Sequence, residues 1–178
     1  MNLKKLYKMQ EELDNHILEN EKRRTGKEID KDLLLDQTIL ALLVELGELA
    51  NATRCFKHWS TKGPMEDEAI LDELADVWHF YLSIGNQMDY ILLDKHIDAD
   101  NPAYYGLDLT EEVETFNYLY YLAGSLTPKY LNESEGYYIK LGIVLALLGE
   151  ILGFTDEEVE QAYLKKHEEN YRRQREGY

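Results

Sequence analysis

Two acidic pairs, Glu45-Leu-Gly-Glu48 and Glu73-Leu-Ala-Asp76, are the residues best suited to chemistry in this chain. Each pair is spaced i,i+3 inside an apolar stretch with helical periodicity. That spacing puts both carboxylates on one helix face, one turn apart. Like charges so placed repel, and partial burial makes the repulsion far worse unless a cation neutralises it. Four carboxylates on two neighbouring helices make a hard-oxygen cage, which suits Mg2+ or Mn2+. A divalent ion held there would in turn face a phosphate.

The neighbours on each face bear on this reading. Thr38, Ala41, Glu45, Glu48 and Ala52 share one narrow helical face, while Leu42, Leu46 and Leu49 share another. Ala69, Glu73, Asp76, Phe80 and Ser83 line up in the same way on the next helix, with His79 to one side. A single Glu-x-x-Glu is usually a solvated surface pair. Two such pairs set among small and apolar residues favour a ligand. A di-iron centre is the main rival and needs two Glu-x-x-His elements on different helices. Asp76-Val-Trp-His79 supplies one, and the other histidines are preceded three residues earlier by Leu13, Cys55, Leu93 and Leu164. No HExxH or cysteine pair supports zinc, and no P-loop or GxGxxG supports a phosphate-binding glycine loop.

Lys166, Asn170 and Arg173 fall on one face of the last helix, with Gln174 and Tyr163 beside them. Lys and Arg pair naturally with phosphate oxygens. A solvated helix C-terminus, where cations favour the dipole, is the simpler account of them on spacing alone. Trp59, His79 and Phe80 would form an aromatic wall for a base, although ordinary core packing explains them more simply. His58 and His96 read as surface residues.

The elements that must position these groups are helices. The chain has 178 residues, three prolines and few glycines, which argues against an all-β fold and for a single domain, 1–178. The expected helices run from Asn2 to Arg23, Asp32 to His58, Pro64 to Leu92, from Thr110 onward, Tyr137 to Leu152, and from a capping box at Thr155-Asp-Glu-Glu158. Asp94 to Asp108 and the Thr127-Pro128 region read as loops. The expectation is an all-α bundle of about six helices, with a rigid core of antiparallel helices carrying the acidic cage. A net charge of −16 disfavours binding to nucleic acid or anionic membranes. One cysteine, Cys55, points to a reducing, cytoplasmic compartment. No apolar run approaches a membrane span, and the N-terminus shows no apolar signal core.

Three segments taken together resemble a known family. They are Val44-Glu-Leu-Gly-Glu-Leu-Ala-Asn51, Asp72-Glu-Leu-Ala-Asp-Val-Trp-His-Phe80 running on to Ser83-Ile-Gly-Asn86, and Lys166-His-Glu-Glu-Asn170-Tyr-Arg-Arg173-Gln174 with Gly177-Tyr178. The acidic motif is similar to that of the all-α nucleoside triphosphate pyrophosphatases. His79-Phe80 and the C-terminal pattern narrow the likeness to the dimeric dUTPases. The resemblance implies a homodimer that hydrolyses dUTP, and dUDP as well, to dUMP. It implies Mg2+ held by Glu45, Glu48, Glu73 and Asp76, with Mn2+ as a substitute, and Glu45 activating the attacking water. Lys166, Asn170 and Arg173 would hold the phosphates. Gln10, Trp59, His79, Phe80 and Asn86 would form the nucleoside pocket. Family members often carry Asn after the leucine of Gln10-Glu-Glu-Leu13, where this chain has Asp14. A phage origin would add a repressor-type protein partner. The alternatives are a pyrophosphatase for another nucleotide and a nucleotide-gated regulatory protein.

Overall fold

Asn2 opens the first helix by accepting a hydrogen bond from the Lys5 amide, and Gly26, at φ 71°, closes it. This α1 spans Leu3–Thr25. In the computed structural model, which describes residues 1–92, 109–126 and 131–177, the other helices are α2 (Lys31–Thr53), α3 (Asp67–Met88), α4 (Glu112–Gly124), α5 (Leu131–Ile151) and α6 (Asp156–Glu176). Among the described residues there is no strand. The all-α fold is therefore as the sequence implies. The expected loops at 94–108 and Thr127-Pro128 lie outside the described residues, apart from the helical start of α5. No single helix is long and apolar enough to cross a membrane.

Local chemistry sets the ends. The Asp30 side chain accepts from the Leu33 amide and caps α2. The capping box at Thr155 and Glu158 is formed as expected. The second helix stops earlier than His58, because Arg54 adopts a left-handed conformation (φ 60°). Its guanidinium then ties the following segment together, donating to Ser60 Oγ (2.7 Å) and Lys62 O (3.2 Å). Pro64 does not sit in the first turn of α3, which begins at Asp67. The Met65 amide instead donates to Ala52 O at 2.9 Å, holding this connector against the end of α2. Asp89, at φ 58°, ends α3 just before the expected Leu92. The fifth helix starts at Leu131, more than a turn before the expected Tyr137.

The third helix is the hub, packing against α1, α2 and α6 and touching α5, while α4 pairs with both α2 and α5. Its buried side chains include Leu74, Val77, Trp78, Tyr81 and Leu82. The leucines Leu42, Leu46 and Leu49 of α2 meet the same core, each at most 1% exposed. Truncating any one to Ala would cost about 2–5 kcal/mol. This leucine stripe is what fixes the rotation of α2 and turns its acids to the other side. A tyrosine cluster locks α1, α3 and α5 together. Tyr81 and Tyr138 stack at 4.5 Å, each hydroxyl donating to the other's carbonyl, and the hydroxyls of Tyr7 and Tyr138 lie 2.6 Å apart.

Candidate functional site

Glu45 of α2 and Glu73 and Asp76 of α3 each offer an oxygen within 4.8 Å of the others. Burial and mutual repulsion change their protonation. Glu45 is pushed up to about 7, first by burial and then by the charges of Asp76, Glu48 and Glu73. Burial, followed by Glu48 and Asp76, raises Glu73 above its usual value. Burial also raises Asp76, and Lys166 opposes it. Three carboxylates that resist ionisation together are a donor set matched to a divalent cation. Glu48 is exposed and lies outside this set of three, although its charge reaches both Glu45 and Glu73.

Lys166 of α6 points inward, its side chain only 7% exposed. Its ammonium bonds Asp72 Oδ2 at 2.6 Å and Asp76 Oδ2 at 2.7 Å. Burial works against the charged form, but the two carboxylates outweigh it and raise the Lys166 pKa. Asp72 was not singled out in the sequence. The available signal was its i,i+4 spacing to Asp76 on the same helix.

Beside the cage lies a cavity of about 490 Å3 between α1, α2, α3 and α6. Glu45 and Asp76 line it, as do Gln10, His79, Phe80 and Asn86 from the expected nucleoside set. So do Asn170 and Arg173 from the expected phosphate set. Glu48, Glu73 and Lys166 do not line it, and neither does Trp59. Trp59 follows α2 and is 67% exposed, with its ring edge-on to His58 and Phe56. Arg173 Nη2 lies 2.5 Å from Glu169 Oε1 on the same helix.

A hydrogen-bonded arc orders part of the cavity wall. Gln10 Nε2 donates to Asp14 Oδ1 at 2.7 Å, which fixes its amide oxygen as an acceptor. Tyr163 donates to that oxygen at 2.9 Å, and His79 Nδ1 donates to it at 2.7 Å. Burial first, then the neighbouring His167 ring and the Lys166 ammonium, depress His79 to about 3, so its ring is neutral. It stacks on Tyr163 at 4.1 Å. Gln87 Nε2 donates to Thr38 Oγ1 at 2.9 Å and to Ser83 Oγ at 3.2 Å. Asn86 Nδ2 donates to Tyr7 O at 3.0 Å. Gln87 was not anticipated, since an exposed amide and a lining amide look alike in a sequence.

An acidic cation cage, a cavity and a cation-bearing sixth helix are thus contiguous. A dUTPase family model matches residues 2–178. No curated protein matches the chain. Since the matched region spans all six helices and every side chain of the cage and cavity, the chain belongs to the all-α dUTPase family.

Proposed function

We propose that this dUTP diphosphatase hydrolyses dUTP, and dUDP as well, to dUMP at the cavity beside the Glu45–Glu73–Asp76 cluster, using Mg2+. The observation that carries the reading is that those three carboxylates, from two helices, converge beside a cavity that Glu45, Asp76, Asn170 and Arg173 line. Glu45, Glu73 and Asp76 would hold the ion, with exposed Glu48 as a further ligand, and Mn2+ would substitute. When bound, the ion neutralises phosphate charge and acidifies water.

The chain's own residues supply the rest. Glu45 takes the proton of the attacking water. Asn170 and Arg173 hold phosphate oxygens, with Arg173 suited to bidentate contact. Lys166 anchors Asp76 and contributes positive charge behind it. Phe80 and His79 face the nucleoside, and Asn86 lines the same wall. The single domain, 1–178, fits the six helices that share one core. Exposed Leu33, Leu40 and Val44 on one face of α2 support a homodimer interface. The lone Cys55 fits a cytoplasmic setting.

The test is product release from a panel of nucleoside triphosphates, with and without Mg2+. Mg2+-dependent cleavage of dUTP, far above dTTP, dCTP and UTP and lost in Glu48→Gln, supports the whole reading. Preference for another nucleotide keeps the metal chemistry and removes the uracil assignment. Nucleotide binding without turnover favours a regulatory protein.

A further inference from the structure

Among the described residues, the buried side-chain polar atoms with no hydrogen-bond partner are Asp14 Oδ2, His79 Nε2 and Gln87 Oε1, and all three belong to residues lining the one cavity of about 490 Å3. They are not scattered along it. His79 and Asp14 are joined through Gln10, and Gln87 shares Ser83 with Asp14, the Ser83 hydroxyl favouring the ionised carboxyl. The donors of this arc point into the protein. His79 gives its Nδ1 proton to Gln10, and Gln87 gives its amide protons to Thr38 and Ser83. What remains for a ligand is acceptor capacity: the bare Nε2 of a neutral histidine, an amide oxygen and a carboxyl oxygen.

The pairing edge of uracil carries one N–H between two carbonyl oxygens. Set against three acceptors, at least one of those carbonyls meets a lone pair, and a buried polar group left in that state is costly. Two members of the trio could become donors by taking a proton, and since burial holds the His79 ring neutral the one left to do so is Asp14. Resting on the reading of this cavity as the site of a uracil nucleotide, we propose that Asp14 binds the base in its protonated form, with Oδ2–H donating to a uracil carbonyl and the proton drawn from solvent as the nucleotide enters.

The surroundings favour that exchange. Burial pushes the Asp14 carboxyl up to about 6, outweighing the nearby Ser83 hydroxyl and the Gln10 amide, which favour the carboxylate. From α6 it is faced by Tyr163 and Tyr171, both raised by burial and so neutral. Glu12 on α1 also acts on Tyr171, raising it. From α3 the nearest titratable ring is His79, neutral through burial. Glu45 of α2, Asp76 of α3 and Arg173 of α6 line the same cavity. Because Glu45 titrates in the same range, the test must separate it from Asp14.

Calorimetric titration of the full chain with Mg2+ and an α,β-imido analogue of dUTP does so. Wild type is compared with Asp14→Asn, which presents a donor at every pH and keeps the acceptor for Gln10. Buffers of different ionisation enthalpy count the protons exchanged. The proposal expects wild type to take up close to one proton more than Asp14→Asn near pH 7.5. It expects the affinity ratio of wild type to variant to fall roughly tenfold per pH unit above pH 7. Asp14→Ala, with no donor, should bind more weakly than Asp14→Asn throughout. Equal proton uptake with a constant ratio overturns the proposal. A ratio that rises with pH also overturns it, because Asp14 would then be a carboxylate accepting the base N–H. These results leave dUTP hydrolysis standing, whereas wild type inactive on dUTP in the substrate panel removes both readings.

Discussion

Lys166 Nζ lies 2.6 Å from Asp72 Oδ2 and 2.7 Å from Asp76 Oδ2, so one cage carboxylate is held from α6 as well as from its own helix. The pair joins the helix bearing Asn170 and Arg173 to the helix bearing two of the clustered acids. Lys166→Met removes that tie while keeping the aliphatic stem that packs beside it. The expected loss is about 1.5–3 kcal/mol, the range for hydrogen bonds to charged groups. Urea unfolding of the metal-free protein measures it. A midpoint unchanged from wild type would mean that the bridge only follows the helix packing.

Glu45→Gln separates activity from stability. The substitution removes one negative charge from a half-buried group that Asp76, Glu48 and Glu73 all repel. The metal-free variant should therefore melt higher than metal-free wild type. If Glu45 is the general base, turnover should drop about 100- to 10,000-fold. A variant that is less stable and fully active contradicts both statements.

The pH dependence follows from the same residue. Glu45 is raised from 4.5 to about 7 by folding, so between those values the native state binds the extra proton. Stability is then greatest at the acid end and falls as pH rises through 7. Asp14, raised from 3.8 to about 6, slopes in the same direction over a lower range. Carboxyls held low, such as Glu158 at its cap, work oppositely below their ordinary value. The difference in melting temperature between wild type and Glu45→Gln isolates the Glu45 share. That difference should widen from pH 5 to pH 7.5 without metal. Saturating Mg2+ should raise the wild-type melting temperature, since a ligand at about 100 times its Kd adds about 2.7 kcal/mol. A flat difference, or no shift with millimolar Mg2+, would count against a metal cage.

Much of this architecture is written in local sequence, and the reason is periodicity. Glu45 sits with Thr38, and Asp76 with Phe80 and Ser83, because helical spacing fixes which residues share a face, and all of them line the cavity. The Thr155–Glu158 cap is a purely local motif and forms as expected. What escaped depends on tertiary contact. The stop of α2 at Arg54 comes from hydrogen bonds to Ser60 and Lys62, which no propensity encodes. The inward turn of Lys166 needs Asp72 across a helix interface. The fixed amide of Gln10 needs Tyr163 and His79, far away in the chain. Trp59 has the composition of a base-stacking residue, yet it lies on an exposed connector away from the cavity lining.

Gly85 gives the sharpest test of how the core supports the cavity. A Cβ there would collide with the hydroxyl and ring of Tyr138 and with the backbone oxygen of Tyr90. The tyrosine cannot simply swing away, because its ring is stacked on Tyr81 and its hydroxyl contacts that of Tyr7. The backbone oxygen has no rotamer to change. Gly85→Ala should therefore destabilise the protein by about 1–3 kcal/mol, despite the better helix propensity of Ala. The consequence should reach the cavity. Gly85 lies between Ser83 and the lining amides Asn86 and Gln87, and Asn86 is tied to the carbonyl of Tyr7. Displacing Tyr138 pushes on Tyr7 and on this last turn of α3 together. Weaker nucleotide binding should thus accompany the lower melting temperature, with the cage chemistry spared, so KM for dUTP should rise more than kcat falls. Loss of stability with KM unchanged would show that the tyrosine cluster supports the fold without setting the shape of the cavity.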